Sequence, residues 1–282
     1  MLRSRRLRND RDSAPLTALA VLLAAVFMLP AVWLFANSLR PSTEIFKYVS
    51  PLSWRTLIPE SPNFDNYVGL FEGAFGRAFL LSLIVTFITV AIGIVICITA
   101  AYALSVLDFP GRNFAFAFIV MSFMVPFEAI AIPLSQLFST WGLTNTLMGL
   151  VLPAIGNGLA IFNLRQHFLS IPSSYREAAT IDGASEIRVL QAVYVPLSGS
   201  AIVNSAVLIF LGQWTAYLWP LIAVSKTEFQ LAPIVLAKSF GETNNDFGAN
   251  FAGSILLSLV PALLMLVLQR SFGKLSFGSG EK

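Results

Sequence analysis

The sequence predicts an all-α integral membrane protein with six transmembrane helices, and two observations support this prediction. Hydrophobic residues make up 56% of the 282 residues, only 12% are charged, and the mean hydropathy is +0.75. Soluble domains are typically about one-quarter charged, and a soluble chain this apolar would expose patches that aggregate. In addition, uncharged stretches of roughly the 20 residues that cross the hydrocarbon core recur along the chain.

The uncharged stretches define six spans within one membrane domain, residues 1–282. Their approximate ranges are 14–37, 78–107, 113–138, 144–164, 198–224 and 251–268. The third is interrupted by Pro126, Glu128 and Pro133, and proline disrupts helical hydrogen bonding. The first span follows a basic run, so it could instead be a cleaved signal peptide, but its apolar stretch is longer than a usual signal core.

The basic residues predict that both termini are cytoplasmic. With the N-terminus inside, twelve of the 18 Lys and Arg residues fall in cytoplasmic segments: Arg3, Arg5, Arg6, Arg8, Arg11, Arg112, Arg165, Arg176, Arg188, Arg270, Lys274 and Lys282. The other six fall in outer segments: Arg40, Lys47, Arg55, Arg77, Lys226 and Lys238. This excess orients bacterial inner-membrane proteins. The N-terminal arginines could also bind nucleic acid, but a membrane-flanking anchor fits better, so we expect lipid contact and no nucleic-acid partner.

The residues that support enzyme or metal chemistry are sparse. Cys97 is the only cysteine and lies in an apolar stretch, so it is predicted to be a small buried hydrophobe rather than part of a disulfide framework. His167 is the only histidine, without Cys, His or carboxylate at metal-ligand spacing, and is predicted to be a polar loop residue. The chain also lacks a phosphate-binding loop, a nucleophile elbow and an H-E-x-x-H helix. We therefore predict no catalytic residue, metal or cofactor in this chain.

Residues 165–196, here called the polar segment, differ from the rest because they are polar and helix-forming. Pro172 suits the first turn of a helix, and Ser174 with Glu177 matches the capping-box pattern. Asp182 and Gly183 then predict a helix end, because glycine adopts the left-handed conformation of a C-terminal cap.

A second short helix is predicted to follow this bend. It would place Ile187, Leu190 and Tyr194 on one side. Ala178 and Ala179 would give the first helix a flat surface on which another protein could sit closely.

The stretch from Glu177 to Ala184, EAATIDGA, strongly resembles the EAA loop of ABC importer permeases. The likeness includes Gly183, six residues after Glu177, and continues through Val193, Val195 and Pro196. In that family the loop docks in a groove of the ATPase subunit. The resemblance therefore implies an ATPase-coupling role for Glu177, Ala178, Ala179, Asp182, Gly183 and Ala184.

The resemblance covers nearly the whole chain, which is similar to the smaller, six-span permease of the maltose-type sugar importers. The matching stretches are Asn66–Tyr67, Leu81–Val85, Ala101–Leu104, Phe109–Arg112, Ile132–Leu134, Trp141–Thr146, Trp214, Tyr217–Leu221 and Gln269–Arg270 with the Gly-rich tail. It implies a type I importer permease fold in the bacterial inner membrane. It also implies a second permease subunit, two ATPase subunits that bind ATP and Mg, and an extracytoplasmic solute-binding protein.

Four residues are candidates for the solute pathway: Glu128, Gln213, Trp214 and Tyr217. Glu128 is the only carboxylate inside a span, and such residues usually face a cavity or a partner. It could instead cap backbone groups freed by the prolines, or lie near the outer surface. The aromatic residues could stack on sugar rings, but Trp and Tyr also concentrate in interfacial belts.

Two other functions compete with the permease interpretation. A stand-alone secondary transporter would usually carry internal repeats and several intramembrane charges, whereas this chain shows one carboxylate and no evident repeat. A membrane-embedded enzyme would require a catalytic constellation. The expected solute is a sugar or sugar-like molecule, such as an oligosaccharide, amino sugar or glycerol phosphate, and the sequence does not choose among these.

Overall fold

The computed structural model describes residues 3–47, 49, 53–241 and 246–276, with the side chains of residues 15–47, 49, 53–241 and 246–268. Every regular element in these residues is helical. The α-helices are α1 (Arg3–Ser38), α2 (Ser42–Ile45), α3 (Asp65–Glu72), α4 (Ala74–Ser105), α5 (Arg112–Met124), α6 (Phe127–Thr140), α7 (Leu147–Val151), α8 (Gly158–Leu169), α9 (Ser173–Ile181), α10 (Glu186–Val189), α11 (Val195–Leu197), α12 (Gly199–Trp214), α13 (Leu218–Ala223), α14 (Ala232–Ser239) and α15 (Phe247–Ser276). Short 3₁₀ turns occupy Trp54–Thr56, Leu152–Ala154 and Thr227–Phe229, and a π-helical turn occupies Leu190–Tyr194.

The predicted all-helical membrane architecture is confirmed. Three helical stretches are long and apolar enough to cross a bilayer unbroken: Pro15–Ser38, Ala74–Ser105 and Phe247–Leu268. Three bent pairs pass the same test of length and composition: α5 with α6, Leu147–Ala154 with α8, and Glu186–Leu197 with α12. In the last pair only α12 lies within the predicted fifth span, and Glu186–Leu197 belongs almost wholly to the polar segment. Counting each bent pair as one span gives six. The predicted C-terminal tail beyond residue 276 lies outside the described residues. The side chains of the N-terminal arginines, Gln269 and Arg270 are likewise not described.

The predicted third span is not one helix, because it bends by 100° between α5 and α6. Val125 and Pro126 at the break are extended, with ψ of 122° and 131°. Proline disfavours the helical conformation of the residue before it, which explains the position of the break. Pro133, by contrast, is accommodated inside α6.

The predicted fourth and fifth spans also differ from single helices. The fourth begins at Leu147 and bends by 42° before α8. The fifth was expected to reach residue 224, but α12 ends at Trp214 and α13 begins at Leu218. Pro220 explains this end, because its ring would clash with the carbonyl of Ala216 in a continuous helix and it has no N–H to donate there.

The chain forms two compact units, and the first comprises residues 1–73 and 238–258. Within it Trp33 packs edge-on against Phe251, with ring centroids 5.4 Å apart. Arg40 is almost fully buried and donates hydrogen bonds to the Asn37 side chain and the Arg55 carbonyl. The buried guanidinium of Arg40 is thus paired with acceptors inside this unit.

The second unit comprises residues 74–237 and 259–282, and its central helix is α4. Cys97 of α4 is fully buried, as predicted, in an apolar cluster with Leu164 and Phe168 of α8. A second cluster surrounds Trp219, whose indole N–H donates to the Gly149 carbonyl at 2.9 Å. The first cluster packs α4 against α8 and α12, and the second packs α4 against α6, α7 and α13.

Candidate functional site

The bend in the polar segment is a helix cap closed by glycine, as the sequence predicts. Gly183 has a φ of +81°, in the left-handed region. The N–H of Ala184 donates to the Ala179 carbonyl, and the N–H of Gly183 donates to the Thr180 carbonyl, both at 3.0 Å. This pair of bonds is the Schellman motif, which satisfies the last carbonyls of α9. Asp182 is the C-cap residue.

The predicted capping box at the start of α9 is wrong. The N-cap residue is Pro172, which provides no side-chain hydrogen bond, and Ser174 is already the second residue of the helix. Pro172 has φ −57° and ψ 135°, so the chain is extended immediately before Ser173 and the helix begins two residues too early for the box. Glu177 is therefore not used for capping, and its side chain is exposed.

The second helix buries two of the three residues predicted to share one side. Leu190 and Tyr194 are buried together with Val189, but Ile187 is 69% exposed. Ile187 lies in α10, before the π-helical turn from Leu190 to Tyr194, and faces away from these buried side chains. Ile181 at the end of α9 is 86% exposed. Two isoleucines and the Glu177 carboxylate thus lie exposed on the polar segment.

Arg176 and Glu186 form the ion pair of the polar segment, with Arg176 Nη2 2.5 Å from Glu186 Oε1. Two hydrogen bonds hold the pKa of Glu186 below its ordinary value: the larger effect comes from Arg176 and the smaller from Tyr102. The bond between Arg176 and Glu186 also raises the pKa of Arg176. Neither residue was a sequence candidate, because a charge pair ten positions apart has no local signature.

Three of the four pathway candidates line one cavity of about 940 Å³ in the second unit: Glu128, Gln213 and Tyr217. Glu128 lies in the first turn of α6, where no side-chain cap is made, so the capping alternative for this residue is not observed. The helix dipole favours a carboxylate at this position. Gln213 is buried at the end of α12, and Tyr217 lies just before α13.

Trp214 differs from the other pathway candidates because it does not line the cavity. Its ring is buried and packs against Phe79 and Phe210, each with centroids 5.9 Å away. Trp214 therefore holds helices together and does not face the cavity. Sequence reasoning missed Ser122, Asn157 and Thr215, which add polar groups to the cavity wall. Asn157 is the N-cap of α8, and its side-chain oxygen accepts a hydrogen bond from the Ala160 N–H. Asparagine is a preferred N-cap residue, so the sequence could have indicated this position.

His167 is in the last turn of α8, and its Nε2 lies 3.4 Å from the Leu197 carbonyl. It is thus helical rather than in a loop. Across the described residues, no three His, Cys, Asp or Glu side chains are grouped to hold a metal ion.

The family model for the inner membrane component of binding-protein-dependent transport systems matches residues 93–275, well over half of the chain. The chain belongs to this family. The permease is therefore a multi-pass inner-membrane component of an ABC importer and not an enzyme. Because the family works within a transport system, the stand-alone transporter interpretation is not supported.

Similar proteins carry carbohydrate-related names. The permease is 32% identical to the arabinooligosaccharides transport system permease protein AraQ of Halalkalibacterium halodurans, over 89% of both chains. It is 32% identical to the trehalose transport system permease protein SugB of Mycobacterium tuberculosis, over 89% of this chain and 91% of that one. It is 30% identical to the sn-glycerol-3-phosphate transport system permease protein UgpE of Rhizobium meliloti, over 88% of this chain and 90% of that one.

The fold of the permease matches that of a solved importer. A chain of a bacterial ABC transporter involved in the import of the acidic polysaccharide alginate superposes with a TM-score of 0.79 at 22% identity, over 93% of this chain and 97% of that one. The alginate transporter in complex with a pentasaccharide-bound periplasmic protein superposes with a TM-score of 0.63 at 16% identity, over 93% and 95%. These likenesses concern the fold.

Proposed function

We propose that this permease forms one half of the solute pathway of a sugar importer, and that the polar segment couples it to the ATPase. The exposed α9 carries this proposal. None of its residues is buried, although Ile181 at its end and Ile187 just beyond the bend are apolar. Exposed apolar side chains rimmed by polar residues mark surfaces where another protein can bind.

The complete importer would contain a second permease subunit, two ATPase subunits and an extracytoplasmic solute-binding protein. ATP and Mg would be bound by the ATPase subunits, since no phosphate-binding loop occurs in this chain. ATP-driven closure of the ATPases would move α9, and the spans would then alternate their access. The excess of basic residues supports placing the termini and the polar segment in the cytoplasm.

The proposed solute is a carbohydrate or a sugar-like molecule, such as an oligosaccharide, an amino sugar or a glycerol phosphate. The names of the related permeases support this class. Glu128, Gln213 and Tyr217 would contact the solute as it passes, because their polar groups line the same cavity. Hydroxyl and carboxylate groups can exchange hydrogen bonds with sugar hydroxyls, and a tyrosine ring can pack on a sugar face.

Cross-linking at α9 tests the coupling proposal. A cysteine at Ile181, in a Cys97→Ser background, should form a cross-link to an ATPase subunit in the purified complex. A cysteine at Trp54, which is also largely exposed but lies in the predicted outer loop, is the matched control and should form none. Cross-linking at position 54 but not at position 181 would contradict the proposed docking surface.

A further inference from the structure

Helix α9 is attached to the rest of the second unit by few side chains. None of its residues is buried, and Ala179 is its only member that packs against the neighbouring apolar cluster. The Thr180 hydroxyl bonds within the helix itself, to the Arg176 carbonyl. Among the described residues, Arg176 is the side chain of α9 that forms a hydrogen bond to another element.

Glu186 receives this bond and connects three helices. Its Oε1 accepts from Arg176 of α9, and its Oε2 accepts from the Tyr102 hydroxyl of α4, each at 2.5 Å. Glu186 itself begins α10. Hydrogen bonds to a carboxylate are stronger than those between neutral groups, so one side chain joins the polar segment to a membrane-spanning helix.

Tyr102 provides a rigid end for this connection. It is 4% exposed, and its ring packs edge-on against Tyr194 with centroids 5.1 Å apart. Tyr194 packs in turn against Phe168 of α8 at 5.5 Å. An exposed ion pair alone contributes little to stability. This ion pair is also bonded to Tyr102, which lies in a close-packed interior that resists displacement.

We propose that Arg176, Glu186 and Tyr102 form a mechanical tie that makes α9 and the end of α4 move together. The proposal rests on the docking function of α9, because the tie transmits a displacement that the ATPase must supply. The three are positioning residues, since none of them lines the cavity of the proposed solute pathway. Within the part of the chain that the structure describes, two other links remain: the packing of Ala179 and the backbone on either side of α9, including the glycine bend.

Spin labels across the tie test this proposal. Labels on cysteines at Ile181 and Thr99 would report the distance between α9 and α4 in the purified complex, in a Cys97→Ser background. In the parent, we expect one narrow distance distribution that is the same with and without Mg-ATP plus vanadate. In Glu186→Gln and Tyr102→Phe, the distribution should broaden or shift when the nucleotide is trapped. Tyr102→Phe keeps the ring packing and removes only the hydroxyl.

Exchanging the two charges of the ion pair distinguishes the loss of the tie from a general loss of structure. The double variant Arg176→Glu with Glu186→Arg should restore the narrow distribution, whereas either single change should not. The Ile181 cross-link to the ATPase should keep its parent yield in all variants. If trapped Glu186→Gln and Tyr102→Phe complexes retained the parent distance, the tie would be refuted while docking stood. If the parent itself gave no cross-link, docking would fail and the tie with it.

Discussion

Gly183 is the residue on which the geometry of the polar segment depends most. Its left-handed φ closes the Schellman motif, and no atom lies within 4 Å of the position that a β-carbon would take, so any penalty for a side chain there comes from the backbone. The left-handed conformation costs an L-residue about 1–2 kcal/mol, with asparagine among the residues that tolerate it best.

We therefore expect a graded response at Gly183. Gly183→Val should loosen the bend and increase proteolysis of the purified complex within the polar segment, while Gly183→Asn should stay close to the parent. Gly199→Ala is a matched control, because Gly199 also has open space but no left-handed φ. Equal proteolysis of the Val and Asn variants would mean that the backbone conformation does not matter.

The cavity residues make a separate prediction at the same scale. Glu128→Gln and Tyr217→Leu should lower solute uptake by reconstituted vesicles without reducing the yield of assembled complex, because both side chains line the cavity and neither is buried. Gln136→Ala, on the same helix as Glu128 but outside the cavity lining, should leave uptake unchanged. Parent-level uptake in both cavity variants would remove these residues from the pathway.

Helix α9 is held to α10 by an ion pair whose strength depends on pH. The hydrogen bond from Arg176 lowers the pKa of Glu186 from its ordinary value of 4.5. The pair's contribution to stability is therefore fully present above pH 4.5 and is lost as the pH falls through the lowered pKa. We expect the mobility of a spin label at Ile181 to rise in that acid range. Glu186→Gln should show high mobility already at neutral pH, and Glu177→Gln should keep the acid transition; the same transition in Glu186→Gln would contradict the assignment.

At the scale of helices, the sequence patterns predicted which stretches form helices better than they predicted where each helix ends or bends. Apolar length predicted the spans, and the spacing of Asp182 and Gly183 predicted the end of α9. The break at Pro126 and the early end of α12 before Pro220 arise from local backbone sterics that a hydropathy pattern does not contain. The role of Trp214 depends on contacts with Phe79, which is far away in sequence and therefore not predictable from spacing.

For the whole molecule, orientation in the membrane remains a prediction from the basic residues. Cysteines at Ser174 and Ser53, each in the Cys97→Ser background, should differ in intact cells. An impermeant thiol reagent should label position 53 and not position 174. The reverse pattern would invert the predicted topology.

The complete importer gives the most direct test of coupling, because the proposed function requires the permease to receive its driving force through a contact with the ATPase. Since Glu177 makes no capping bond, Glu177→Lys reverses an exposed charge without removing a helix cap. Glu177→Gln removes the charge alone and is the milder control.

The decisive measurement is ATP hydrolysis stimulated by the solute-loaded binding protein, made on the reconstituted complex together with uptake. We expect Glu177→Lys and Gly183→Val to insert and assemble yet lose the stimulated hydrolysis, while Glu177→Gln retains part of it. If both disruptive variants hydrolysed ATP and transported solute like the parent, the polar segment would not be the coupling element.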